Sequence, residues 1–276
     1  NQFFQYAFGR AMSLKFNRPL TMDGTEYIMP RNRHLKRVFA LDKLGLKADF
    51  IFPETMNASL WLKDLTYRMA RKWLPVRKGF VRENGFAYQP KLSELLTQFG
   101  TNNCYFDGYW QSYKYFSEVK EQLKAELLGA IKAKTPISAA SNIPTVVMHV
   151  RKSDYLKGKK SRQIYANLSN EYYQNCLELI RETERKYRLL LVSDDAEYVQ
   201  KHFTVVERFA FDGTTSVFAD LYLMATSSYV VTANSSFSWW GGYLNSLPGQ
   251  KIFTPKKWFV DDKTTRDLIP QHWIQV

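Results

Sequence analysis

The sequence predicts an α/β fold, with a parallel sheet that is covered by helices on both faces. In the C-terminal half, apolar runs of strand length alternate with segments that fit helices, an order typical of βαβ units. Polar residues follow several of these runs, at the sheet edge where α/β proteins bind ligands. The N-terminal half is richer in helical patterns, so we expect a separate, helix-rich α/β domain there.

The elements of the N-terminal half follow from the spacing of apolar residues. Helical patterns cover Phe3–Leu14, Ala58–Trp73 and Tyr113–Lys134, and a strand pattern covers Pro19–Met22. The stretch TPISAASNIP then interrupts the periodic pattern between residues 134 and 144. We therefore expect an N-terminal domain at residues 1–140 and a C-terminal domain at residues 141–276.

The C-terminal half is expected to contain alternating strands and helices. The predicted strands are Thr145–Val150, Arg188–Val192, Val205–Val206, Tyr229–Ala233 and Lys251–Phe253. The predicted helices are Glu171–Tyr187, Ala196–Phe203, Ser216–Ala225 and Phe237–Leu244. Because the two kinds of element alternate, the strands should run parallel and present their carboxyl ends to one crevice.

The composition fits a soluble globular protein and leaves the class of partner open. The 276 residues carry 39 Lys and Arg against 26 Asp and Glu, and the resulting net charge of +13 attracts anions. The basic residues are spread along the chain, so most of them are expected on a solvated surface. The charge alone does not choose among nucleotides, nucleic acids and acidic lipid surfaces.

The cysteines and apolar runs indicate a cytoplasmic protein. Cys104 and Cys176 are far apart and belong to no His/Cys cluster, so neither a disulfide framework nor a structural zinc site is expected. No apolar run approaches the ~20 residues that span a bilayer, and the first residues do not resemble a signal peptide. Peripheral association with the inner membrane surface stays open.

An anion site is predicted where the strand Tyr229–Ala233 ends. The turn Asn234–Ser236 leads into the next helix, whose first backbone N–H groups lack intrahelical partners. The helix dipole places partial positive charge there, and the side chains of Asn234, Ser235 and Ser236 add hydrogen-bond donors. These residues could equally cap the helix, and a capped helix start can also bind phosphate.

A second polar group follows the strand Thr145–Val150. Arg151 can give a bidentate, charge-assisted fork to a diphosphate and stabilise the charge that develops as it leaves. Lys152 adds a second positive charge, although Arg–Lys pairs are usually surface charges. His149 lies within the strand and fits a core histidine as well as a contact with a nucleobase.

A third polar group, Ser193, Asp194 and Asp195, follows the strand Arg188–Val192. The carboxylates can accept hydrogen bonds from ribose hydroxyls or guanine N–H groups, and they could equally cap the next helix. The chain has no DxD triplet in the setting typical of metal–diphosphate enzymes, so we expect a metal-independent site. GxxxxGK[ST], GxGxxG and GxSxG motifs are missing from the sequence as well.

Several segments together resemble the bacterial α-1,2-fucosyltransferases of glycosyltransferase family 11. The most specific are HVRKSDY, which begins at His149, and ANSSFSWWGGYL, which begins at Ala233. The resemblance covers nearly the whole chain, because further matching segments are the N-terminal NQFFQYAFGR, FDGYWQSYKYF at Phe106–Phe116, VSDD at Val192–Asp195 and TPKKWF at Thr254–Phe259.

The resemblance implies a GT-B-like pair of Rossmann-type domains facing a central cleft. GDP-fucose would bind mainly to the C-terminal domain, and a glycan acceptor, expected to end in galactose, would face the N-terminal one. The reaction would be inverting transfer of fucose to a hydroxyl, expected to be O2 of that galactose. The resemblance implies neither a metal nor another cofactor.

The resemblance also implies roles for single residues. Arg151 would hold the β-phosphate, and Ser235 and Ser236 would bind diphosphate oxygens. Residues near the nucleoside would be His149, Asp194 and Asp195, and residues near the reacting sugar would be Asn1 and Gln2. Tyr109 is expected to line a sugar subsite. Lys152 stands where the family has a second arginine, so it keeps the charge but lacks the planar fork.

The expected reaction is attack of an acceptor hydroxyl on the anomeric carbon of fucose while Arg151 and the helix start stabilise departing GDP. Asp154 is the candidate general base, and it could instead orient Arg151 through a salt bridge. Two alternatives stay open: a transferase for another nucleotide sugar and, with less support, a basic nucleic-acid-binding protein.

Overall fold

A computed structural model of the chain describes residues 1–28, 38–52, 76–77, 79–92, 94, 97, 104–135, 143–152, 163–203, 216–261 and 265–276. The chain divides into two compact units. One comprises Asn1–Leu123 with Arg266–Ile269, and the other comprises Lys124–Thr265 with Pro270–Val276. The division falls within the helix Lys120–Ala133, before the boundary expected at residues 134–144. The Lys124 ammonium donates to the Asn245 carbonyl at 2.8 Å.

The first unit combines one long helix with short strands. Its elements are α1 (Gln2–Phe16), β1 (Thr21–Asp23), α2 (Thr25–Ile28), a 3-10 helix (Leu41–Leu44), β2 (Asp49–Ile51), β3 (Val76–Arg77), β4 (Phe80–Arg82), β5 (Tyr105–Asp107) and a second 3-10 helix (Tyr113–Val119). β1 and β2 pair in parallel, whereas β4 pairs antiparallel with β3 and parallel with β5. The Phe8 ring of α1 stacks on Trp110 with 4.1 Å between ring centroids, which fixes α1 against the segment after β5.

The second unit is built on an open parallel sheet. Its elements are α3 (Lys120–Ala133), which continues out of the first unit, β6 (Thr145–Val150), α4 (Asn170–Thr183), β7 (Arg188–Ser193), α5 (Ala196–His202), α6 (Val217–Ala225), β8 (Tyr229–Val231), α7 (Ser236–Leu244), β9 (Lys251–Thr254) and β10 (Ile274–Gln275). The strand order is β10-β9-β8-β6-β7, and all neighbouring strands are parallel. β6 and β7 are paired from Thr145 and Arg188 to Val150 and Ser193, so both strands end at the same edge.

Helix α4 shows how the sequence directs packing onto this sheet. Tyr173, Cys176, Leu177 and Ile180 follow one another at spacings of three, one and three residues, which places them on one helical face. Each is at most 3% exposed, and the face packs on apolar side chains of β6 and β8. Burial raises the pKa of the Cys176 thiol to about 12, so this cysteine is a core residue and not a reactive thiolate.

Helix α7 is buried along most of its length. Trp239 and Trp240 are at most 1% exposed and belong to the core. A Cβ added at Gly241 would lie 2.7 Å from the Met224 side chain of α6, so a larger residue would push the two helices apart. α7 is therefore packed closely against α6 at Gly241.

The structure confirms the mixed α/β class with parallel sheets. β6 has the predicted bounds, and β7 and β9 each extend one residue further than predicted. The expected helix at Tyr113–Lys134 is instead a 3-10 helix followed by α3, with non-helical backbone at the fully buried Phe116. The predicted helix Ala58–Trp73 and strand Val205–Val206 lie outside the described residues. In the part of the chain described, no helix is both long and apolar enough to cross a membrane.

Candidate functional site

The strand order creates a switch point at the carboxyl edge of the second unit's sheet. β7 lies on one side of β6, and β8, which comes later in the chain, lies on the other side. Open α/β sheets bind ligands at such a point, in the crevice outside the carboxyl ends of the strands. Arg151 directly follows β6, and Ser235 and Ser236 lie just after β8.

The turn after β8 forms a capped helix start. Ser235 is the N-cap of α7, and its Oγ accepts a hydrogen bond from the Phe237 N–H at 3.3 Å. The Oγ of Ser238 supports the turn by accepting from the Ala233 N–H at 3.2 Å. Ser236 occupies the first helical position, where a backbone N–H has no intrahelical acceptor. The capping role is therefore confirmed for Ser235, and it is compatible with anion binding at the same helix start.

Asn234 makes its contacts inside the protein. It is 1% exposed, and its Nδ2 donates to the carbonyls of Ala166 at 2.7 Å and Trp258 at 2.9 Å. Both hydrogens of the amide are thereby engaged. A ligand contact from these hydrogens would require the internal bonds to break.

His149 connects the two sides of the crevice. It is 3% exposed, and its ring centroid lies 5.4 Å from that of Phe237 in the first turn of α7. Burial and then the positive charge of Arg151 lower the pKa of His149 to about 3, against an opposite effect of Asp194. The ring is therefore neutral at pH 7. Its buried Nδ1 has no hydrogen-bond partner among the described residues. It could therefore form a hydrogen bond with a ligand group that reaches it.

Lys152 lies beside the half-buried Arg151, but its ammonium is bound inside the protein. Its Nζ donates to the Leu168 carbonyl, lies 3.4 Å from Asn167 Oδ1 and sits 4.8 Å from the centre of the Tyr198 ring. The residue is 4% exposed, and burial lowers the pKa of its ammonium. The sequence predicts that Lys152 adds positive charge to the donor site, whereas in the structure its ammonium has partners inside the protein.

The polar residues after β7 make local contacts. Asp194 Oδ1 accepts the Lys152 N–H at 3.0 Å, which joins the ends of β7 and β6. Asp195 is the N-cap of α5, because its Oδ1 accepts the Tyr198 N–H at 3.0 Å. Ser193 Oγ accepts the Asp195 N–H at 3.0 Å. The capping alternative is thus confirmed for Asp195, and contacts of this group with a nucleoside stay a prediction.

The first unit contains the other predicted site residues. Gln2 at the start of α1 donates from Nε2 to the Val38 carbonyl at 2.8 Å and accepts the Ala40 N–H at 2.9 Å. Asn1 Oδ1 accepts a hydrogen bond from Gln111 Nε2. These side chains therefore hold neighbouring segments against the helix start.

Tyr109 has an exposed side chain, at 45%, while its backbone is fixed by a residue that sequence reasoning missed. The carboxylate of Glu83 accepts the N–H groups of Tyr109 at 2.7 Å and also those of Trp110 and Gln111. Trp110 has a left-handed φ of 57°, which helps three successive N–H groups converge on one anion. Nothing marks Glu83 in the sequence, because its partners are backbone groups more than twenty residues away.

Asp154, the candidate base, lies outside the described residues, so its role stays a prediction. Among the residues that the structure describes, no three His, Cys, Asp or Glu side chains come together as a metal site would require. The predicted residues at the ends of β6, β7 and β8 therefore share one edge of the second unit. Asn1, Gln2 and Tyr109 belong to the first unit.

Comparison with known proteins identifies the family. The model of glycosyl transferase family 11 matches residues 1–276. The chain belongs to glycosyltransferase family 11. This family membership makes it a glycosyltransferase, with a nucleotide-sugar donor and a glycan acceptor.

Relatives of this family 11 chain differ considerably from it in sequence. It is 26% identical to an alpha-1,2-colitosyltransferase of Escherichia coli over 285 residues, and these cover 100% of the chain and 95% of that protein. It is 22% identical over 295 residues to the O-antigen biosynthesis glycosyltransferase WbnK of Escherichia coli, with coverage of 100% and 97%. A putative glycosyltransferase of Caenorhabditis elegans, C06E1.7, is 25% identical over 189 residues, which cover 58% of the chain and 46% of that protein.

Proposed function

We propose that this glycosyltransferase transfers fucose from GDP-fucose to a hydroxyl of a glycan, most simply O2 of a terminal galactose. The transfer inverts the anomeric carbon and needs no metal, and the two units form the halves of a GT-B-like enzyme. The main support is the ring contact between His149 and Phe237, whose centroids are 5.4 Å apart. It brings the residues around Arg151 and the start of α7 to the same crevice.

The leaving diphosphate would bind between these two groups. The guanidinium of Arg151 provides parallel N–H donors whose geometry matches two phosphate oxygens, and its charge persists throughout the reaction. The α7 start provides backbone N–H groups, the dipole and the hydroxyl of Ser236. Both contribute most when negative charge collects on departing GDP, so they stabilise the transition state more than the bound donor.

The nucleoside would bind beside the buried His149. Because its pKa is lowered to about 3, the ring stays uncharged and adds no second cation next to Arg151. Its Nδ1 can then form a neutral hydrogen bond with the base or ribose. Asp194 and Asp195 lie at the neighbouring strand end and would accept hydrogen bonds from the same part of the donor.

In the chemical step, the acceptor oxygen forms a bond to the anomeric carbon of fucose as the bond from that carbon to the diphosphate oxygen breaks. The bonding electrons leave with GDP, and the proton of the acceptor hydroxyl passes to a base, for which Asp154 is our candidate. Asn1, Gln2 and Tyr109 would contribute to the sugar side of the site.

Thermal unfolding with GDP, UDP or ADP, each in the presence of a chelator, tests the donor assignment. A nucleotide at 100 times its Kd should stabilise the folded chain by about 2.7 kcal/mol. We expect the unfolding temperature to rise with GDP alone. We also expect transfer from GDP-fucose to a galactoside to continue in the presence of the chelator. A rise with UDP alone would refute the assignment, and no rise with any nucleotide would refute the anion site itself.

Colitose transfer is a second candidate, favoured by the similarity to an alpha-1,2-colitosyltransferase along the whole chain. Colitose is fucose without its 3-hydroxyl, so both sugars could use the same nucleotide and diphosphate contacts. A site that hydrogen-bonds this hydroxyl would reject the deoxy sugar by about 10⁴-fold. Comparing kcat/KM for the two GDP-sugars therefore decides between the candidates, whichever acceptor is used.

A further inference from the structure

A short segment, residues 164–168, runs beside the carboxyl edge of the second unit's sheet. It pairs with the residues that follow β9: the Ala166 N–H donates to the Trp258 carbonyl at 3.1 Å, and the Val260 N–H donates to the Ile164 carbonyl at 2.9 Å. Tyr165 and Phe259 form the antiparallel bridge between these two bonds. The segment thus has its own backbone pairing next to the crevice.

Two buried side chains tie segment 164–168 to both sides of the switch point. From the end of β6, the Lys152 ammonium donates to the Leu168 carbonyl, with Asn167 Oδ1 at 3.4 Å. From the end of β8, Asn234 donates to the Ala166 carbonyl at 2.7 Å. Arg151 precedes the first of these anchors, and Ser235 follows the second.

The contacts of Lys152 leave little freedom for a role in direct phosphate binding. An ammonium group has three donor hydrogens, and here it faces a carbonyl, an amide oxygen and the Tyr198 ring at 4.8 Å. Its backbone N–H is also engaged, with Asp194 Oδ1 at 3.0 Å. Moving the ammonium to a ligand would leave the buried Leu168 carbonyl without this donor.

We propose that Lys152 is a positioning residue, which fixes Arg151 relative to the start of α7 by binding segment 164–168. The identity of the nucleotide rests on the proposed function, but the positioning role does not. A phosphate held from both sides requires Arg151 and the helix start at a set separation, and small displacements at such sites are costly. Removing the Lys152 side chain should therefore weaken donor binding, although this side chain never touches the donor.

The chain contains a matched control for this substitution. Lys124 is also a buried lysine, at 9% exposure, and it also donates to a backbone carbonyl, that of Asn245, at 2.8 Å. Its ammonium lies 5.5 Å from the centre of the Tyr243 ring, as Lys152 lies over Tyr198. Both belong to the second unit, but the Asn245 carbonyl is at the C-terminal end of α7, away from the crevice.

The experiment compares Lys152→Met with Lys124→Met by unfolding temperature, by titration with GDP and by steady-state kinetics. Both variants should unfold at lower temperature, because each removes the lysine donor of a backbone carbonyl inside the protein. Only Lys152→Met should raise the Kd for GDP, by about tenfold, the lower end of what losing an orienting partner costs at metal sites. Its KM for the donor should rise while its KM for the acceptor stays constant. Lys152→Arg keeps a cation toward Leu168 and should restore GDP binding to within about threefold.

Equal Kd values for the two Met variants would overturn the proposal and leave Lys152 a purely structural lysine. If Lys152→Met does not fold, Asn167→Ala replaces it: a raised Kd supports the positioning role, and an unchanged Kd overturns it. If the wild-type chain binds UDP and not GDP, the proposed donor is wrong, and the same comparison made with UDP still decides the role of Lys152.

Discussion

At the scale of single residues, Glu83 and Asp267 in the first unit respond oppositely to their surroundings. Burial raises the pKa of Glu83, and the negative charge of Asp107 adds to it, although three backbone N–H groups oppose the shift. Burial also acts to raise the pKa of Asp267, but hydrogen bonds from Lys114 and the Tyr88 N–H lower it below its usual range. The difference arises because Asp267 has a cation as hydrogen-bond partner, whereas the partners that lower the pKa of Glu83 are backbone N–H groups.

The lowered pKa of Asp267 predicts how stability depends on pH. A carboxyl whose pKa is lower in the folded chain stabilises it fully above the unfolded pKa, near 3.8, and loses this effect as pH falls through the folded value. Asp267→Asn should therefore cost about 1 kcal/mol of unfolding free energy at pH 7. The cost should shrink as the pH falls below 3.8.

Urea unfolding at several pH values measures this dependence. Glu118→Gln serves as the control, because Glu118 is an exposed carboxyl in the neighbouring 3-10 helix. A cost for Asp267→Asn that is the same at low and neutral pH would show that the ion pair with Lys114 does not contribute.

The sequence could locate polar residues at strand ends, but it could not assign their partners. The sequence is compatible with Asp195 as a helix cap or as a ligand contact, and only the structure shows that its Oδ1 accepts the Tyr198 N–H at 3.0 Å. Lys152 and Asn234 bind backbone carbonyls of segment 164–168, which any residue type could provide. Such partners leave no mark in a sequence pattern, so positioning residues look like ligand residues.

At the scale of elements, α6 and α7 allow a paired test of the helix start. Ser216 caps α6 by accepting the Phe218 N–H at 3.2 Å, and Ser235 caps α7 by accepting the Phe237 N–H at 3.3 Å. Ser216→Ala and Ser235→Ala should each cost about 1 kcal/mol of stability. We expect only Ser235→Ala to weaken GDP binding as well, because only α7 begins at the proposed diphosphate site.

Chemical denaturation gives the two stability losses, and titration with GDP gives the two affinities. If both variants bind GDP as tightly as the wild type, the Ser235 side chain is a cap without a ligand role. If both weaken binding equally, the effect reflects lower stability and not contact with the diphosphate.

The elements that the sequence predicted well are those that pack against the sheet over several residues. β6 is buried from Val146 to Val150 and has the predicted bounds. α4 repeats its apolar positions regularly, so the helix was predicted, although it ends at Thr183 and not at Tyr187. β10 contains two exposed residues and joins the sheet through backbone bonds to β9, so its side chains give no strand pattern. The break at Phe116 was missed because apolar spacing does not reveal which residue leaves the helical backbone conformation.

At the scale of the whole molecule, the net charge of +13 and the proposed crevice should respond differently to salt. A protein that neutralises six to ten phosphates loses about 10³- to 10⁵-fold in affinity between 50 and 200 mM salt. Any binding of single-stranded RNA to the basic surface should fall in this way. Binding of GDP should fall by less than about tenfold, because charges in a partly buried site are screened less.

Fluorescence titrations with labelled RNA and calorimetric titrations with GDP, at the same two salt concentrations, measure how steeply each affinity falls with salt. The slopes compared are those of log affinity against log salt concentration. Equally steep slopes would mean that GDP binds as a general anion, which would argue against a built nucleotide site. RNA binding that persists at 200 mM salt would indicate more than general electrostatic attraction to the basic surface.

The α/β class could be predicted from the sequence because strand and helix patterns alternate through the second unit. The division between the units could not be read in the same way. Lys124 lies within the helix Lys120–Ala133, where the second unit begins, and its ammonium donates to the Asn245 carbonyl. Most of the Pro- and Ser-rich stretch after the helix lies outside the described residues, so the boundary expected there stays a prediction.

The central position of β6 has a consequence for the newly made chain. β6 is synthesised before both of its neighbours, and β8 follows it by roughly 80 residues. At about 5–20 residues per second, the backbone groups on one edge of β6 wait roughly 4–16 seconds for their partner strand. An unpaired strand edge readily joins another chain. The arrangement that creates the switch point therefore exposes this stage of synthesis to aggregation, and slower production at lower temperature should not remove that interval.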